Sequence, residues 1–286
     1  SLYGFVQSFD ADGFTLDMGS SAPDYVYKSP QTYMAWNWFA GTTSGISAGA
    51  QTITPSGYSI NTTSKFGIYA YTGNGTAGAT ISHGLGAVPK AIWVKKLSAA
   101  ASWQVGHAYI TEGDGNDWGS AWELDTATVS SNNPGYWNDT APTSTLVTLG
   151  DDTRCNADTA TYIMYVWCDV PGMQKFGMYM GNGNARGPSV NLGFTPQTVI
   201  IKRLGAYNWV IFNEKLPGYN VSPNRLYCDT NTGEIVTDTD QIQFRPGGFT
   251  LRGSGGNTNA TANNFCYFAW SQFPVVSSSD VPGVVR

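Results

Sequence analysis

A long internal repeat is the feature of this sequence that most constrains its fold. The stretch KFGIYAYTGNG at residues 65–75 returns as KFGMYMGNG at residues 175–183, and the first glycines of the two GNG turns, Gly73 and Gly181, lie 108 positions apart. A fixed period of this kind identifies one structural unit that the chain uses more than once. The repeat therefore sets the architecture before any single element is assigned.

The repeat continues well beyond this stretch. The matched pairs are Pro89 with Pro196, Lys95-Lys96-Leu97 with Lys202-Arg203-Leu204, Trp103 with Trp209, Val105 with Ile211, His107 with Asn213, and Asp125-Thr126 with Asp229-Thr230. Chance recurrence of a short strand and a turn does not produce so many matches in one order. We interpret the chain as containing two copies of one module.

Aromatic runs mark the ends of copies. They are YIMYVW at 162–167, FCYFAW at 265–270 and YMAWNW at 33–38. The sequence that precedes the N-terminal run also recurs, because the pattern Phe-x-x-x-Gly-Phe-Thr-Leu begins at Phe9 and again at Phe244. Residues 1–38 therefore look like the tail of an earlier copy, so either the chain is cut from a longer array or its first copy has degenerated.

Short strands joined by turns are the expected local structure. The 34 Gly and 14 Pro residues interrupt the 286-residue chain about every six residues, which is too often for long helices. The runs KAIWVKK and QTVIIKR are rich in β-formers and follow a proline, and Gly and Asn in GNG suit a tight turn. Aromatic closing runs are typical of strands buried on both faces, or covered on one face by another copy. We predict an all-β fold of tandem antiparallel β-sandwich or jelly-roll repeats.

The repeat and the polar segments between its copies also predict the domain organisation. The expected parts are residues 1–39 as the C-terminal part of a preceding or degenerate repeat, 40–64 as a connector, 65–170 and 171–273 as sandwich repeats one and two, and 274–286 as a C-terminal connector. The first connector is predicted because its residues are mainly Thr, Ser, Gly and Asn.

Composition argues against several classes of partner and ligand. A net charge of −5 provides no basic surface for nucleic acid, and no apolar run approaches the roughly 18 residues of a membrane span. The four cysteines form no CxxC pair and fall at different places in the two copies. We therefore expect free, buried or partly buried thiols rather than zinc ligands or disulfides, in a chain that folds in a reducing cytosol without a secretory signal.

Metal binding has one candidate loop. Glu112, Asp114 and Asp117 alternate with glycines, so their oxygens could wrap a hard divalent cation, although a solvated surface turn explains the same pattern. The two histidines are expected to be structural. His83 is replaced by Leu192 in the second copy, and His107 directly follows a strand.

Glycan binding has candidates in the aromatic residues of polar loops. Trp118 and Trp122 follow the acidic loop, and Tyr219 occupies roughly the same region of the second copy. Aromatic side chains on loops of a rigid scaffold can stack on sugar rings. The alternative interpretation is that these side chains pack in a core or between subunits.

Catalysis is not expected. The sequence contains no GxSxG elbow, no HExxH pair and no P-loop, and its two copies share no acidic motif. A glycosidase needs two carboxylates facing one cleft, and the 20 Asp and Glu residues leave a polysaccharide depolymerase as a remote alternative. No cofactor is expected other than the candidate cation of the acidic loop.

The stretches YTGNGTAGATISHGLGAVPKAIWVKK and YWNDTAPTSTLVTLG, together with the aromatic closing runs, resemble a repeat of unknown function. That repeat occurs in tail-fibre and other virion proteins of marine phages such as cyanophages. The resemblance covers Phe66 to Trp270, with a partial copy at Phe9 to Trp38. The second copy departs from the pattern, because it lacks the His-Gly-Leu-Gly and Tyr-Trp-Asn-Asp-Thr stretches.

The resemblance implies a phage virion structural protein, a tail-fibre module that projects from the particle and contacts host-surface glycans. The runner-up is a purely architectural virion component such as a spacer, a collar or a capsid decoration. The implied partners are other virion proteins, host-surface polysaccharide and further copies of the chain in a trimer. The implied location is the virion, assembled in the host cytoplasm.

Overall fold

The computed structural model describes residues 4–11, 13–20, 26, 28–30, 32–38, 40–46, 51–110, 118–128, 131–216 and 220–271. Every regular element among these residues is a strand, and all the strand pairs are antiparallel, so the predicted all-β class is confirmed. The chain divides into two compact units, Ser1–Trp38 and Phe39–Arg286.

The N-terminal unit contains one hairpin, formed by β1 (Phe5–Asp10) and β2 (Gly13–Asp17). Its register places Phe9 opposite Phe14, just as Phe244 lies opposite Phe249 in the second repeat. The burial differs, because Phe9 is 84% exposed and Phe244 is 8% exposed. The hairpin thus reproduces one element of a repeat. Among the described residues of its unit, however, no sheet covers the Phe9 ring.

The N-terminal aromatic run at 33–38 forms no strand. In each repeat the equivalent closing strand lies between two partner strands that satisfy its backbone groups on both sides. The described residues of the N-terminal unit supply no such pair of partners for 33–38. An apolar run becomes a central strand only where neighbouring strands exist to accept its hydrogen bonds.

The larger unit holds the other eighteen strands found among the described residues. Those of its first half are β3 (Gly57–Asn61), β4 (Phe66–Thr72), β5 (Ala79–Ser82), β6 (Pro89–Lys96), β7 (Gln104–His107), β8 (Ser120–Glu123), β9 (Ser131–Asn132), β10 (Leu146–Leu149) and β11 (Thr161–Cys168). Those of its second half are β12 (Gln174–Met180), β13 (Ser189–Asn191), β14 (Pro196–Arg203), β15 (Val210–Asn213), β16 (Asn224–Tyr227), β17 (Ile235–Val236), β18 (Ile242–Arg245), β19 (Gly248–Leu251) and β20 (Asn264–Ser271).

The two halves pair their strands in the same order. The large sheet of the first half runs β3-β4-β11-β6-β7-β8-β9, and that of the second runs β12-β20-β14-β15-β16-β17. Apart from the additional edge strand β3, each strand of one sheet has its counterpart in the other. A smaller sheet accompanies each, with order β10-β5 in the first half and β13-β19-β18 in the second.

Each small sheet packs on one face of its large sheet and encloses a core. In the first repeat Ile81 and Val147 of the small sheet belong to the same buried cluster as Ile92 and Tyr162. In the second repeat Phe249 joins a separate cluster that contains Val199 and Phe265. Period-two alternation along the strands produces this arrangement, because every second side chain points toward the small sheet.

The segment predicted as a connector, 40–64, is partly structural. It contributes β3, which pairs with β4 at the edge of the large sheet, and Thr42 forms an isolated bridge with Ile60. Ile53 and Ile60 are buried in the core of the first repeat. Polar composition therefore misidentified an edge strand as a linker, because edge strands tolerate Ser, Thr and Gly on their solvent side. The predicted C-terminal connector, 274–286, lies outside the described residues.

The large sheets of the two repeats pack against each other through their outer faces. Four ring pairs join these faces, namely Trp93 with Phe268 at 6.0 Å, His107 with Phe268 at 4.7 Å, Trp122 with Trp209 at 5.5 Å, and Trp167 with Trp270 at 6.3 Å between centroids. The sheets thus form one stack in the order small, large, large, small. This explains why β20 is almost wholly apolar, since one of its faces meets its own core and the other meets the first repeat.

Candidate functional site

In each repeat, a buried asparagine side chain holds the GNG turn in place by hydrogen bonds. Asn156 is fully buried, accepts a hydrogen bond from the Asn74 backbone N–H at 2.9 Å, and donates to the Gly150 carbonyl at 2.7 Å. Asn259 makes the equivalent bonds with the Asn182 N–H at 2.9 Å and the Gly253 carbonyl at 2.7 Å. The repeated turn is therefore held by a repeated buried amide, and its role is to fix the loop before the closing strand.

The same two turns require glycine for close approach. A Cβ at Gly73 would collide with the Ala157 carbonyl oxygen, and one at Gly181 would collide with the Ala260 carbonyl oxygen. The sequence repeat at these positions thus reflects packing rather than ligand binding.

A lysine and a tryptophan also recur as a structural pair. Lys95 Nζ lies 5.6 Å from the centroid of Trp103, and Lys202 Nζ lies 5.7 Å from that of Trp209. Lys202 is fully buried and donates to the carbonyl oxygens of Gly205 and Tyr207. Burial lowers the pKa of Lys202 to about 8, and Asp229 acts in the opposite direction. These contacts bind the Lys202 ammonium to the loop that follows β14, and the ammonium lies inside the fold.

The tryptophans predicted to contact glycans are buried, so that prediction is wrong for both of them. Trp118 is 4% exposed and packs edge to face on Trp137 at 5.9 Å, while Trp122 is 0% exposed and packs on Trp209 between the repeats. A sugar ring cannot reach either face. The alternative interpretation, packing in a core, is the one that the structure bears out for these two residues.

The remaining predicted site residues lie outside the described residues. They are the glycan candidate Tyr219 and the candidate cation ligands Glu112, Asp114 and Asp117. In the part of the chain that the structure describes, no group of three or more His, Cys, Asp or Glu side chains is placed to hold a metal ion. The described residues also contain no helix that is long and apolar enough to cross a membrane.

Both histidines are built into the fold. His83 is 0% exposed, with Nε2 3.1 Å from the Thr143 carbonyl oxygen and Nδ1 accepting from the Leu85 N–H. His107 is also 0% exposed, and its Nε2 lies 3.3 Å from the Tyr267 carbonyl oxygen of the second repeat. Burial lowers the pKa of both imidazoles, to about 3 for His107. Neutral imidazoles in these positions hold backbone groups across loops and across the repeat interface.

The cysteines are free thiols, as predicted. Cys155, Cys168 and Cys266 are buried and Cys228 is partly buried. Burial raises the pKa of the Cys155, Cys168 and Cys228 thiols, so these three remain protonated and weakly reactive near neutral pH. Cys266 Sγ lies 3.1 Å from the Tyr109 carbonyl oxygen, which adds one more contact between the repeats.

A pocket at one end of the second repeat is a candidate for ligand binding. It is an open pocket of about 320 Å³, and its lining includes residues that follow β15, residues that precede β16, and residues of the β18–β19 turn. Its lining includes Glu214, Leu216, Asn220, Ser222, Phe244 and Arg245. With Pro246 and Thr195, which also line it, the pocket combines one acid, one guanidinium and three apolar side chains within a small volume.

The walls of this pocket are held in place by backbone contacts. The Asn220 side chain donates to the Phe244 carbonyl and accepts from the Phe244 N–H at 2.9 Å. The Glu214 N–H donates to the Gln197 carbonyl at 2.9 Å, and the Leu216 N–H donates to the Asn213 carbonyl at 3.1 Å. The position of each wall is therefore set by the sheet and its turns.

Charge in the pocket is uneven. Glu214 forms an ion pair with Lys215 Nζ at 2.9 Å, which offsets its charge. Arg245 Nε is buried without a hydrogen-bond partner, and the Arg245 side chain forms no hydrogen bond or ion pair with another residue that the structure describes. A buried donor without a partner costs about 1 to 3 kcal/mol, so such a group in a native fold calls for an explanation.

The described residues of the first repeat do not reproduce this pocket lining at the equivalent place. Its counterparts of Glu214 and Thr195 are Ala108 and Val88, and it has no strand equivalent to β18, which carries Arg245. The sandwich therefore forms without these polar groups. Sequence reasoning missed them because it looked for features that the copies share, whereas the pocket residues are detectable only as differences between the copies.

Comparison with known proteins gives one family. The model of the family described as a domain of unknown function, DUF7483, matches residues 2–274 of the chain. The match takes in the N-terminal unit and both repeats together. Neither a curated protein nor a solved structure matches the chain.

Proposed function

The chain belongs to the DUF7483 family, and we propose that it is a structural protein of a phage virion, namely a tail-fibre module that projects from the particle and contacts host-surface glycans. One observation carries the proposal. The two repeats pack their large sheets against each other through paired aromatic rings, so that the larger unit is one continuous stack of four sheets. A stack of this kind is rigid, so it keeps the distance between its two ends constant.

The aromatic interface supports the mechanical part of the proposal. Trp122, Trp209 and Phe268 are fully buried, and each buried side chain of this size stabilises the folded state by about 3 kcal/mol. Because the rings come from both repeats, separating the repeats would expose all of them together. The two sandwiches therefore act as one rigid segment rather than as beads on a flexible linker.

The free thiols support assembly in the host cytoplasm. Four cysteines without a disulfide suit a chain that folds under reducing conditions and becomes part of a particle there. The proposed partners are other virion proteins and further copies of the chain. The aromatic rings give no separate support for a trimer, because Trp93, Trp122 and Trp167 pack on rings of the same chain. Trimer formation therefore rests on the resemblance alone.

A purely architectural virion component is the second candidate. It is favoured by the burial of Trp118 and Trp122, which removes two of the three aromatic residues that were expected to meet sugars. The pocket of the second repeat favours contact with host glycans instead, because the architecture shared by the copies does not require its polar groups. We therefore keep the projecting, host-contacting module as the primary proposal.

Electron microscopy of particles tests the location. Antibodies raised against the purified chain should label projections of intact virions from the phage that encodes it, and an unrelated antiserum should not. Labelling that appears only on disrupted particles would favour a buried architectural component. Presence of the chain in infected cells together with its absence from purified particles would contradict the virion assignment altogether.

A further inference from the structure

In the pocket of the second repeat, Arg245 is the one charged lining residue whose charge is not offset by an ion pair among the described residues. Lys215 Nζ is 2.9 Å from Glu214 Oε1, so the ammonium and the carboxylate offset each other. Arg245 lines the same pocket and has no such partner among the described residues. A ligand that enters the pocket therefore meets a net positive charge, which selects for an anionic group.

The chemistry of Arg245 specifies the anionic group further. A guanidinium presents planar N–H donors in a fixed fork that matches a carboxylate or a phosphate oxygen pair. Glu214 lies in the same lining, and a dianionic phosphate would approach its carboxylate at a cost in repulsion. A singly charged carboxylate satisfies Arg245 with less repulsion from Glu214.

The rest of the lining suits a polyhydroxylated ring. Ser222 and Thr195 supply hydroxyls and Glu214 supplies carboxylate oxygens, all of which accept hydrogen bonds from ligand O–H groups. Leu216, Phe244 and Pro246 supply an apolar surface that a simple inorganic anion would leave unused. A sugar has both features, since its hydroxyls project from the edge of the ring and its C–H groups form an apolar face.

Size limits the ligand to about one ring. A volume of about 320 Å³ lies near the lower end of the range of roughly 300 to 1,000 Å³ that is usual for small-molecule pockets. A single monosaccharide unit suits this volume, either free or as the end of a longer chain.

We infer that this pocket binds a carboxylate-bearing monosaccharide unit, such as a uronic acid, with the sugar carboxylate on the Arg245 guanidinium and the ring hydroxyls on Glu214, Ser222 and Thr195. The inference deepens the proposed function and rests on it for its biological setting, in which the ligand is a unit of an acidic host-surface polysaccharide. Binding itself is a property of the purified chain. The free acid and the polysaccharide unit share the chemistry that the pocket recognises.

Titration of the full-length chain with sodium D-glucuronate tests the inference, with binding followed by ligand-observed NMR. Glucuronate should bind in the millimolar range, and R245Q should weaken binding about tenfold or more, because a charge-assisted hydrogen bond is lost. R252Q is the matched control. Arg252 follows the same hairpin and bonds Gln243 Oε1 at 2.8 Å outside the pocket lining, so its loss should change binding less than about twofold.

Comparison ligands separate the contributions of the charge and the ring. D-glucose should bind much more weakly than glucuronate, and so should sodium acetate. E214Q should weaken glucuronate binding relative to acetate binding, because Glu214 is assigned to the sugar hydroxyls, whereas its repulsion acts on the carboxylates of both ligands. Acetate binding as tight as glucuronate binding would overturn the sugar assignment, and tighter binding of glycine would show an amino-acid site instead.

Equal losses in R245Q and R252Q, with unchanged thermal unfolding of both variants, would overturn the assignment of Arg245. The test is independent of the virion. Labelled virion projections together with a chain that does not bind glucuronate would refute the pocket and leave the proposed function standing. Glucuronate binding by a chain that is absent from particles would support the pocket and refute the proposed function.

Discussion

Trp122 of the first repeat and Trp209 of the second meet edge to face, with ring centroids 5.5 Å apart. Trp209 also donates its indole N–H to the Glu123 carbonyl oxygen at 2.9 Å, so the contact has both an apolar and a polar part. The two residues are 87 positions apart in the sequence. Their meeting is what turns two similar sandwiches into one stack.

Replacing either ring of this pair should destabilise the whole larger unit. Trp209→Ala is expected to lower the free energy of unfolding by about 3 to 5 kcal/mol, because a fully buried indole leaves a cavity. Trp122→Ala should have a similar effect. Urea unfolding of both single variants and of the double variant should give a coupling of about 0.5 to 1.5 kcal/mol. Strict additivity would mean that the contact contributes nothing of its own.

The buried asparagines that anchor the GNG turns should be equally important in both repeats. Asn156→Ala and Asn259→Ala each leave several backbone groups of the turn without a hydrogen-bond partner. Each substitution should therefore lower the free energy of unfolding by about 2 kcal/mol or more, as measured by thermal or chemical unfolding. Asn184 is the control because its side chain is exposed and accepts only one backbone bond, from the Arg186 N–H at 2.8 Å. A loss for Asn184→Ala as large as that for Asn259→Ala would contradict the anchoring role.

The two equivalent hairpin phenylalanines should respond very differently to truncation. Phe244→Ala removes a buried ring from the second repeat and should cost about 3 kcal/mol or more in urea unfolding. Phe9→Ala removes a ring that is 84% exposed and should change stability by less than about 0.5 kcal/mol. A large loss for Phe9→Ala would instead indicate that another molecule, such as a second copy, covers this ring in solution.

Acid should weaken the interface between the repeats through His107. Burial lowers the pKa of this imidazole to about 3, whereas the unfolded chain titrates near about 6.5. Between these values the unfolded chain binds a proton that the folded chain does not, so stability is lost as the pH falls through this window. The contribution is about 2 kcal/mol at pH 5 relative to pH 7. The backbone amide of Tyr109, the ring of Phe268 and the more distant Lys90 ammonium face the imidazole.

His107→Asn is the variant that isolates this effect. The second repeat carries Asn213 at the equivalent position, and its side-chain oxygen accepts from the Lys215 N–H at 2.8 Å just as His107 Nδ1 accepts from the Tyr109 N–H. The variant should therefore fold, and its stability should fall less between pH 7 and pH 5 than that of the parent, as measured by urea unfolding at each pH. Parallel pH profiles for the two proteins would rule out His107 as the source.

Much of the fold was predictable from local pattern. The matched prolines, lysines and tryptophans established that two copies are present, and the density of Gly and Pro excluded long helices. The free thiols followed from the unmatched positions of the cysteines. These features depend on short stretches of chain or on comparison of the two copies, so they can be read without knowing which surfaces meet.

The candidate site was not predictable in the same way. Trp118 and Trp122 stand next to a polar loop in the sequence, and only the fold shows that Trp137 and Trp209 cover them. Likewise, Glu214 and Arg245 come from different turns, 31 positions apart, and nothing local to either residue indicates that they line one pocket.

The sequence by itself determined the all-β class, the duplication and the state of the cysteines, because strand alternation, turn residues and repeat matches are properties of neighbouring positions. The tertiary structure alone decided which face of each sheet is covered, that Gly57–Asn61 is an edge strand, and that Arg245 lies unpaired in a pocket. The physical reason is that alternation assigns a side chain to a face but does not say what packs on that face. In this chain the covering groups are supplied by residues of the other repeat or of a distant turn.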